Sequence, residues 1–133
     1  MPSIDAIVGI PHRSATKLRR ARVRTTEALL KRAARPDERG QLSAATGIAD
    51  DDLVAWCHRA ELLSLTGVGA EYAHVLAELG VGTLAALAGR DGDGLWEEIV
   101  ATNEKKRYVK RLPTDEMVAV WVAEAQRTPS VVH

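Results

Sequence analysis

Apolar side chains recur every three or four residues along most of this chain, which is the spacing of a helix that buries one face. Ala15, Leu18 and Ala21 follow this spacing near the start of the chain, and Ala73 and Leu76 follow it further along. The alternation of apolar and polar residues that marks a β-strand does not persist anywhere. The pattern therefore predicts an all-α protein.

Glycine, proline and helix-capping residues divide this pattern into about eight short helices. Predicted starts lie near Pro11, Thr25, Pro36, Asp50, Ala70, Thr83, Leu95 and Thr114. Predicted ends lie near Arg22, Ala33, Leu79, Ala88 and Thr102, and Gly47 is a predicted C-cap. The acids at 50–52 are expected to cap a helix, and residues 91–94 are expected to form a loop. Trp56, Trp96 and Trp121 are expected to anchor the core.

The pattern repeats itself at an offset of 58 positions. The identical pairs are Gly9/Gly67, Ala15/Ala73, Leu18/Leu76, Val23/Val81, Thr25/Thr83, Ala28/Ala86 and Leu29/Leu87. Such self-similarity indicates repeated packing units and argues against an enzyme built around one cleft. We predict a first repeat over residues 1–60, a second over 61–127 and a flexible tail over 128–133. Because no linker separates the repeats, we expect them to pack as one compact helical domain.

Composition narrows the class of protein. Hydrophobic residues make up 46% of the chain, which allows a well-buried core and argues against disorder. The single cysteine excludes an internal disulfide and fits a reducing cytoplasm. We see neither an N-terminal leader pattern nor an apolar stretch near the roughly 18 residues that a membrane span needs. We expect a cytoplasmic protein with no membrane association.

The net charge is zero, but positive and negative residues are segregated. Residues 1–35 carry nine Lys and Arg against two acids, and residues 105–133 carry six against three. Residues 36–104 carry three against thirteen. This asymmetry indicates either an anionic partner for the basic ends or self-association between oppositely charged regions, with a homodimer as one form. Solvated helix faces would explain it equally well.

Gly67, Val68 and Gly69 form a motif that indicates a sharp turn before a helix. The two glycines allow a sharp backbone turn, the valine between them fills the space beneath it, and Ala73 lets the next helix approach closely. A backbone phosphate is received by such a turn and the following helix N-terminus in DNA-binding helix-hairpin-helix proteins. The first copy, at residues 7–11, has Pro11 in place of the second glycine.

The segments around residues 7–11 and 67–69 resemble the hairpins of helix-hairpin-helix proteins, and we call them the first and the second hairpin. The resemblance extends beyond these two hairpins. The positions concerned are Leu42–Ile48, Leu53, Trp56, Gly67–Gly69, Tyr72, Ala73, Leu79–Val81, Thr83, Leu87, Ala88, Asn103, Pro113, Val118–Trp121 and Ala125. Over residues 4–126 the chain resembles the tandem helix-hairpin-helix proteins of domain-of-unknown-function family 4332. The resemblance implies a compact helical fold and a nucleic-acid-binding or protein-binding role, and it supplies no catalytic residues.

The two hairpins differ in charge. The helix after the second hairpin carries Glu71 and Glu78 and no Lys or Arg, so its carboxylates would compete with a phosphate. We therefore interpret the second hairpin as a packing element. The first hairpin offers Gly9 and His12 beside four bases at helical spacing. Those bases are Arg13, Lys17, Arg20 and Arg24.

A second basic cluster contains Lys105, Lys106, Arg107, Lys110 and Arg111, with Tyr108 inside it. A tyrosine among bases can stack on an unpaired nucleotide, although such a ring more often packs inward and leaves the bases solvated. The histidines lack metal-ligand spacing, and adjacent helical residues such as Cys57 and His58 point about 100° apart. We expect no enzyme, no metal and no cofactor.

These observations favour a non-catalytic module that binds nucleic acid without sequence preference through the basic helix face. The alternative is a protein-interaction or scaffolding module whose basic end docks on an acidic protein surface, such as its own residues 36–104.

Overall fold

The computed structural model describes residues 2–133, which form eight α-helices, one short 3₁₀ helix at Ile4–Ala6 and no β-strand. The helices are α1 (His12–Arg20), α2 (Thr26–Ala33), α3 (Pro36–Thr46), α4 (Asp50–Leu63), α5 (Ala70–Glu78), α6 (Leu84–Ala88), α7 (Gly92–Lys106) and α8 (Asp115–Arg127). The prediction of an all-α protein is confirmed.

Contacts divide the chain into two units, with the division inside α4. The first unit extends to Ala60 and includes Ser130–His133, and its largest fully buried side chains are Ile4, Leu18, Val23, Leu29, Leu42 and Leu53. The second unit is Glu61–Pro129, and its largest fully buried side chains are Leu62, Leu76, Leu87, Leu95, Ile99 and Trp121. Each unit therefore has an apolar core of its own.

Residues 58 positions apart adopt similar local geometry in the two units. Thr25 and Thr83 precede α2 and α6, and each hydroxyl accepts the backbone N–H three residues further on at 3.0 Å. Arg22 and Gly80 both have left-handed backbones, with φ of +69° and +82°. The sequence offset therefore corresponds to matching caps and turns.

Thr114 caps α8 in the same way, since its hydroxyl accepts the backbone N–H of Met117 at 3.1 Å. All three threonine caps that the sequence predicted are therefore present. Gly47 ends α3 with a φ of +76°, as the pattern predicted. The helix start predicted near Asp50 is confirmed, and the acids at 50–52, which were expected to cap this helix, form the first turn of α4, where they complement the helix dipole. The end predicted for α1 at Arg22 was two residues too long, since α1 ends at Arg20.

The loop predicted at residues 91–94 was wrong. Asp91 caps α7 by accepting the N–H of Gly94 at 3.2 Å, and the helix begins at Gly92 and continues to Lys106, beyond the predicted end at Thr102. A Cβ on Gly92 would lie 3.3 Å from the Cα of Ala119 on α8. The glycine therefore permits close approach of two helices and does not mark a loop.

Trp96 is not the core anchor that the pattern predicted. Its ring is half-buried and its indole N–H donates to the carbonyl of Pro113 at 2.9 Å. Trp56 and Trp121 are buried, as expected. An indole with a polar end can serve a surface connection as well as a core, and hydrophobic spacing alone does not distinguish the two.

Candidate nucleic-acid interface

The first hairpin presents an open backbone turn followed by an uncapped helix. Ile7 is buried beneath the turn, while Gly9 has a φ of +106° and nothing within 4 Å of the position that a Cβ would occupy. Pro11 occupies the N-cap position of α1, and its side chain cannot accept a hydrogen bond from the first turn. The N–H groups of that turn are therefore available to an acceptor. His12, the first residue of α1, has an exposed side chain.

Four basic residues follow this turn on α1 and just after it. Arg13, Arg20 and Arg24 are exposed and Lys17 is half-buried. Within residues 2–133, none of the four forms an ion pair. The Nζ of Lys17 lies 4.0 Å from the position of a Cβ on Gly47, at the C-terminal end of α3. We call these four residues the basic face.

Arg19, on the same helix, differs from the basic face. Its guanidinium pairs with Asp5, which lies in the 3₁₀ helix. Arg22 adopts a left-handed backbone after α1 and has an exposed side chain. Arg19 is thus neutralised by a carboxylate, whereas the neighbouring bases of the basic face are not.

The second hairpin has a similar turn. Gly67 has a φ of +78° and Val68 is buried. The N–H of Val68 donates to the carbonyl of Leu65 at 3.2 Å, so this amide serves the turn itself. Gly69 occupies the N-cap position of α5, where it provides no side-chain acceptor. The first-turn amides of α5 remain exposed to a ligand.

Positive charge reaches the second hairpin from a distant segment. A cleft of about 370 Å³ is lined by residues 69–72 together with Lys110 and Arg111. The backbone N–H of Lys110 donates to the Glu71 carboxylate at 3.1 Å, and the Tyr72 hydroxyl donates to the carbonyl of Arg111 at 2.8 Å. Reasoning from the helix sequence alone missed this arrangement, because the bases lie 39 positions from their partners.

The connection between α7 and α8 is anchored near its start by the side chain of Asn103. Asn103 accepts the N–H of Val109 at 2.9 Å and donates to its carbonyl at 3.2 Å. The C-cap residue Arg107 has a φ of +50°. Lys105, Lys106 and Arg107 are exposed, and no salt bridge involves them in the described part of the chain. Their positive charge also suits the helix C-terminus.

Tyr108 packs inward. Its ring meets that of His74 edge-on, with centroids 5.3 Å apart, and its hydroxyl approaches a carboxylate oxygen of Glu78 at 3.5 Å. The side chain is half-buried, and its ring packs against α5. Of the two interpretations open for this tyrosine, the geometry favours packing over base stacking.

Cys57 is fully buried, with its sulfur 3.9 Å from the carbonyl oxygen of Leu29. Among residues 2–133, no group of three or more His, Cys, Asp or Glu side chains is arranged to hold a metal ion. The described helices also include none that is both long and apolar enough to cross a membrane.

A comparison with protein families identifies the family of this chain. Residues 8–128 match the family described as Domain of unknown function (DUF4332). The chain belongs to this family. The match covers both glycine turns and all eight helices. Neither the search of curated proteins nor the search of solved structures found a match.

Proposed function

We propose that this chain is a tandem helix-hairpin-helix protein that binds the phosphate backbone of nucleic acid and carries out no catalysis. The tandem arrangement is supported by the matching caps at Thr25 and Thr83 and by the matching left-handed turns at Arg22 and Gly80. Because these features are local to each unit, they support duplication without reference to how the units are arranged.

The observation that carries the binding proposal is the basic face beside the first hairpin. Its four side chains lack ion-pair partners within the described range, and the amides of the α1 first turn lie next to Arg13. Phosphate would gain both charge neutralisation and hydrogen bonds there. A structural role for these bases would instead favour carboxylate partners of the kind that Arg19 has.

The second hairpin offers a further contact for a phosphate. Its turn presents the uncapped start of α5, and Lys110 and Arg111 supply the positive charge that the helix itself lacks. Lys105, Lys106 and Arg107, at the C-terminal end of α7, add further exposed positive charge just before this connection. All of these groups recognise phosphate, which is the same at every nucleotide, so the binding is indifferent to sequence and weakens strongly with salt.

Fluorescence anisotropy tests the proposal, with labelled duplex DNA, single-stranded DNA and RNA of two unrelated sequences at two salt concentrations. The double variant Arg13→Glu with Lys17→Glu should lose affinity by at least about tenfold, because charge reversal removes two phosphate contacts. The matched control is Lys31→Glu with Arg35→Glu, which makes the same charge change at residues paired with Glu27 and Asp37. Equal affinity of both variants would exclude the basic face.

The protein-interaction alternative rests on charge segregation, since residues 36–104 carry thirteen acids against three bases. In that function the basic face would dock on an acidic protein surface. The anisotropy series separates the two functions, because such a module would show no measurable affinity for any of the nucleic acids at low salt.

A further inference from the structure

A shallow apolar groove of about 290 Å³ lies beside the second hairpin, within the unit Glu61–Pro129. Thr66 and Gly67 form one side of it. The other side comes from the first half of α8, where Met117, Val120 and Trp121 provide the apolar lining and Glu116 provides a carboxylate. This groove is distinct from the cleft at the start of α5.

The groove contains an unpaired donor. Trp121 is only 1% exposed, and its indole N–H donates to no group among residues 2–133. Its Nε1 lies 3.7 Å from the position of a Cβ on Gly67, so it faces the hairpin side of the groove. The N–H of Trp96, by comparison, has the carbonyl of Pro113 as its acceptor. The Nε1 atom itself is not sealed from solvent, so this N–H is open to the groove and can donate to an acceptor that a ligand brings.

Exposed apolar side chains lie at the groove and on the connection that leads to it. Val120, in the groove, is 48% exposed. Leu112, two residues before the groove residue Thr114, is 42% exposed. Exposed apolar side chains beside an apolar groove are typical of a surface that binds another protein.

The charges around Leu112 are complementary to one another. Lys110 and Arg111 precede it and Asp115 and Glu116 follow it, and all four are exposed. Their charged groups form no ion pair within the described chain. Residues 110–116 therefore combine an exposed apolar side chain, two bases and two acids, and the end of this segment lines the apolar groove. A two-fold interface requires this kind of self-complementary surface, because each copy must present both halves of every contact.

We propose that this surface binds a second copy of the chain across a two-fold axis. Leu112 of each copy fills the groove of the other and places a backbone carbonyl against the N–H of Trp121. Lys110 and Arg111 of each copy pair with Asp115 and Glu116 of the other, so phosphate at the second hairpin competes with the second copy for these two bases. The occupant follows from the charges, because the acidic side of the groove selects an apolar residue next to bases, and residues 110–112 are such a segment.

Sedimentation equilibrium of the full chain, without nucleic acid, tests the dimer. Leu112→Asp and Val120→Asp should each raise the dimer dissociation constant by about tenfold or more, because each puts a charge into the apolar centre of the contact. The matched control is Val131→Asp, the same change at a side chain that is 51% exposed and belongs to the other unit. Circular dichroism confirms that each variant is folded.

Charge exchange provides a second measurement. Lys110→Glu with Arg111→Glu should weaken the dimer, and adding Asp115→Lys with Glu116→Lys should restore it. In NMR spectra the indole N–H signal of Trp121, assigned with Trp121→Phe, should shift with protein concentration, while that of Trp56 stays in place.

A chain that stays monomeric at all concentrations overturns the proposal, as does a dimer that Leu112→Asp leaves as stable as Val131→Asp does. A concentration-independent Trp121 signal in a dimeric protein overturns the assignment to this groove. Since nucleic acid is absent from these measurements, failure here leaves the proposed nucleic-acid binding to its own test.

Discussion

Lys110 donates its backbone N–H to the carboxylate of Glu71 at 3.1 Å, although 39 positions separate the two residues. On sequence alone, Glu71 stands as a carboxylate that repels phosphate from the second hairpin. In the structure the same carboxylate holds a connection that brings Arg111 and Lys110 to that hairpin. An acid near a helix N-terminus can therefore recruit positive charge by binding a backbone amide.

Charge reversal at the second hairpin should weaken nucleic-acid binding. Lys110→Glu with Arg111→Glu should lower affinity and should reduce the slope of log affinity against log salt by about 1 for each phosphate that the protein no longer neutralises. Anisotropy titrations at four salt concentrations measure both quantities. The same experiment on Lys31→Glu with Arg35→Glu provides the charge-matched control, and an identical slope in both variants would remove the second hairpin from the interface.

Gly92 should be intolerant of a methyl group. Gly92→Ala places a Cβ 3.3 Å from the Cα of Ala119, so the variant should lose about 1 kcal/mol of unfolding free energy. Gly40→Ala is the matched control, since a Cβ there has nothing within 4 Å and lies on the exposed side of α3. The control should gain about 0.5–1 kcal/mol from helix propensity. Urea denaturation measures both, and equal changes would contradict the close packing of α7 on α8.

Arg22 should be replaceable by glycine with a gain in stability. Its φ of +69° lies in the left-handed region, which glycine adopts without steric cost, as Gly80 does at +82°. Arg22→Gly should raise the free energy of unfolding by about 0.5–1 kcal/mol after the larger backbone entropy of the unfolded glycine is counted. Arg22→Ala removes the same charge but keeps the strained backbone. A gain in both variants would assign the effect to charge instead.

Glu124 should make stability depend on pH. Hydrogen bonds from Thr66, through its side chain and then through its backbone N–H, hold the pKa of Glu124 below its ordinary value. A lowered folded pKa stabilises the fold above the unfolded pKa, and this stabilisation is lost as pH falls through the folded pKa. Glu124→Gln should therefore be less stable than the parent near neutrality, and the difference should shrink in acid. Thermal unfolding at several pH values measures this, and a pH-independent difference would contradict it.

The features that the sequence predicted well are local. Thr25, Thr83 and Thr114 cap helices, and Gly67 adopts the left-handed turn, because each depends on a few neighbouring residues. The offset of 58 positions was visible for the same reason, since identical local requirements leave identical residues.

The features that it missed depend on distant neighbours. Gly92 looked like a loop residue because its contact, Ala119 on α8, is remote in sequence. The cleft at the second hairpin was missed because Lys110 and Arg111 approach α5 only after the connection folds back. Hydrophobic spacing likewise gave Trp96 a buried position without revealing that Pro113 binds its indole N–H.

The two side-chain bonds from Asn103 to Val109 give the α7–α8 connection an anchor that does not involve residues 110–112. The side chains at those three positions are exposed, and the bonds that Glu71 and Tyr72 make to this segment go to its backbone atoms. Swapping the three residues for other tripeptides, with Asn103 and Val109 kept, offers a direct route to retargeting this protein's surface without redesigning its helices.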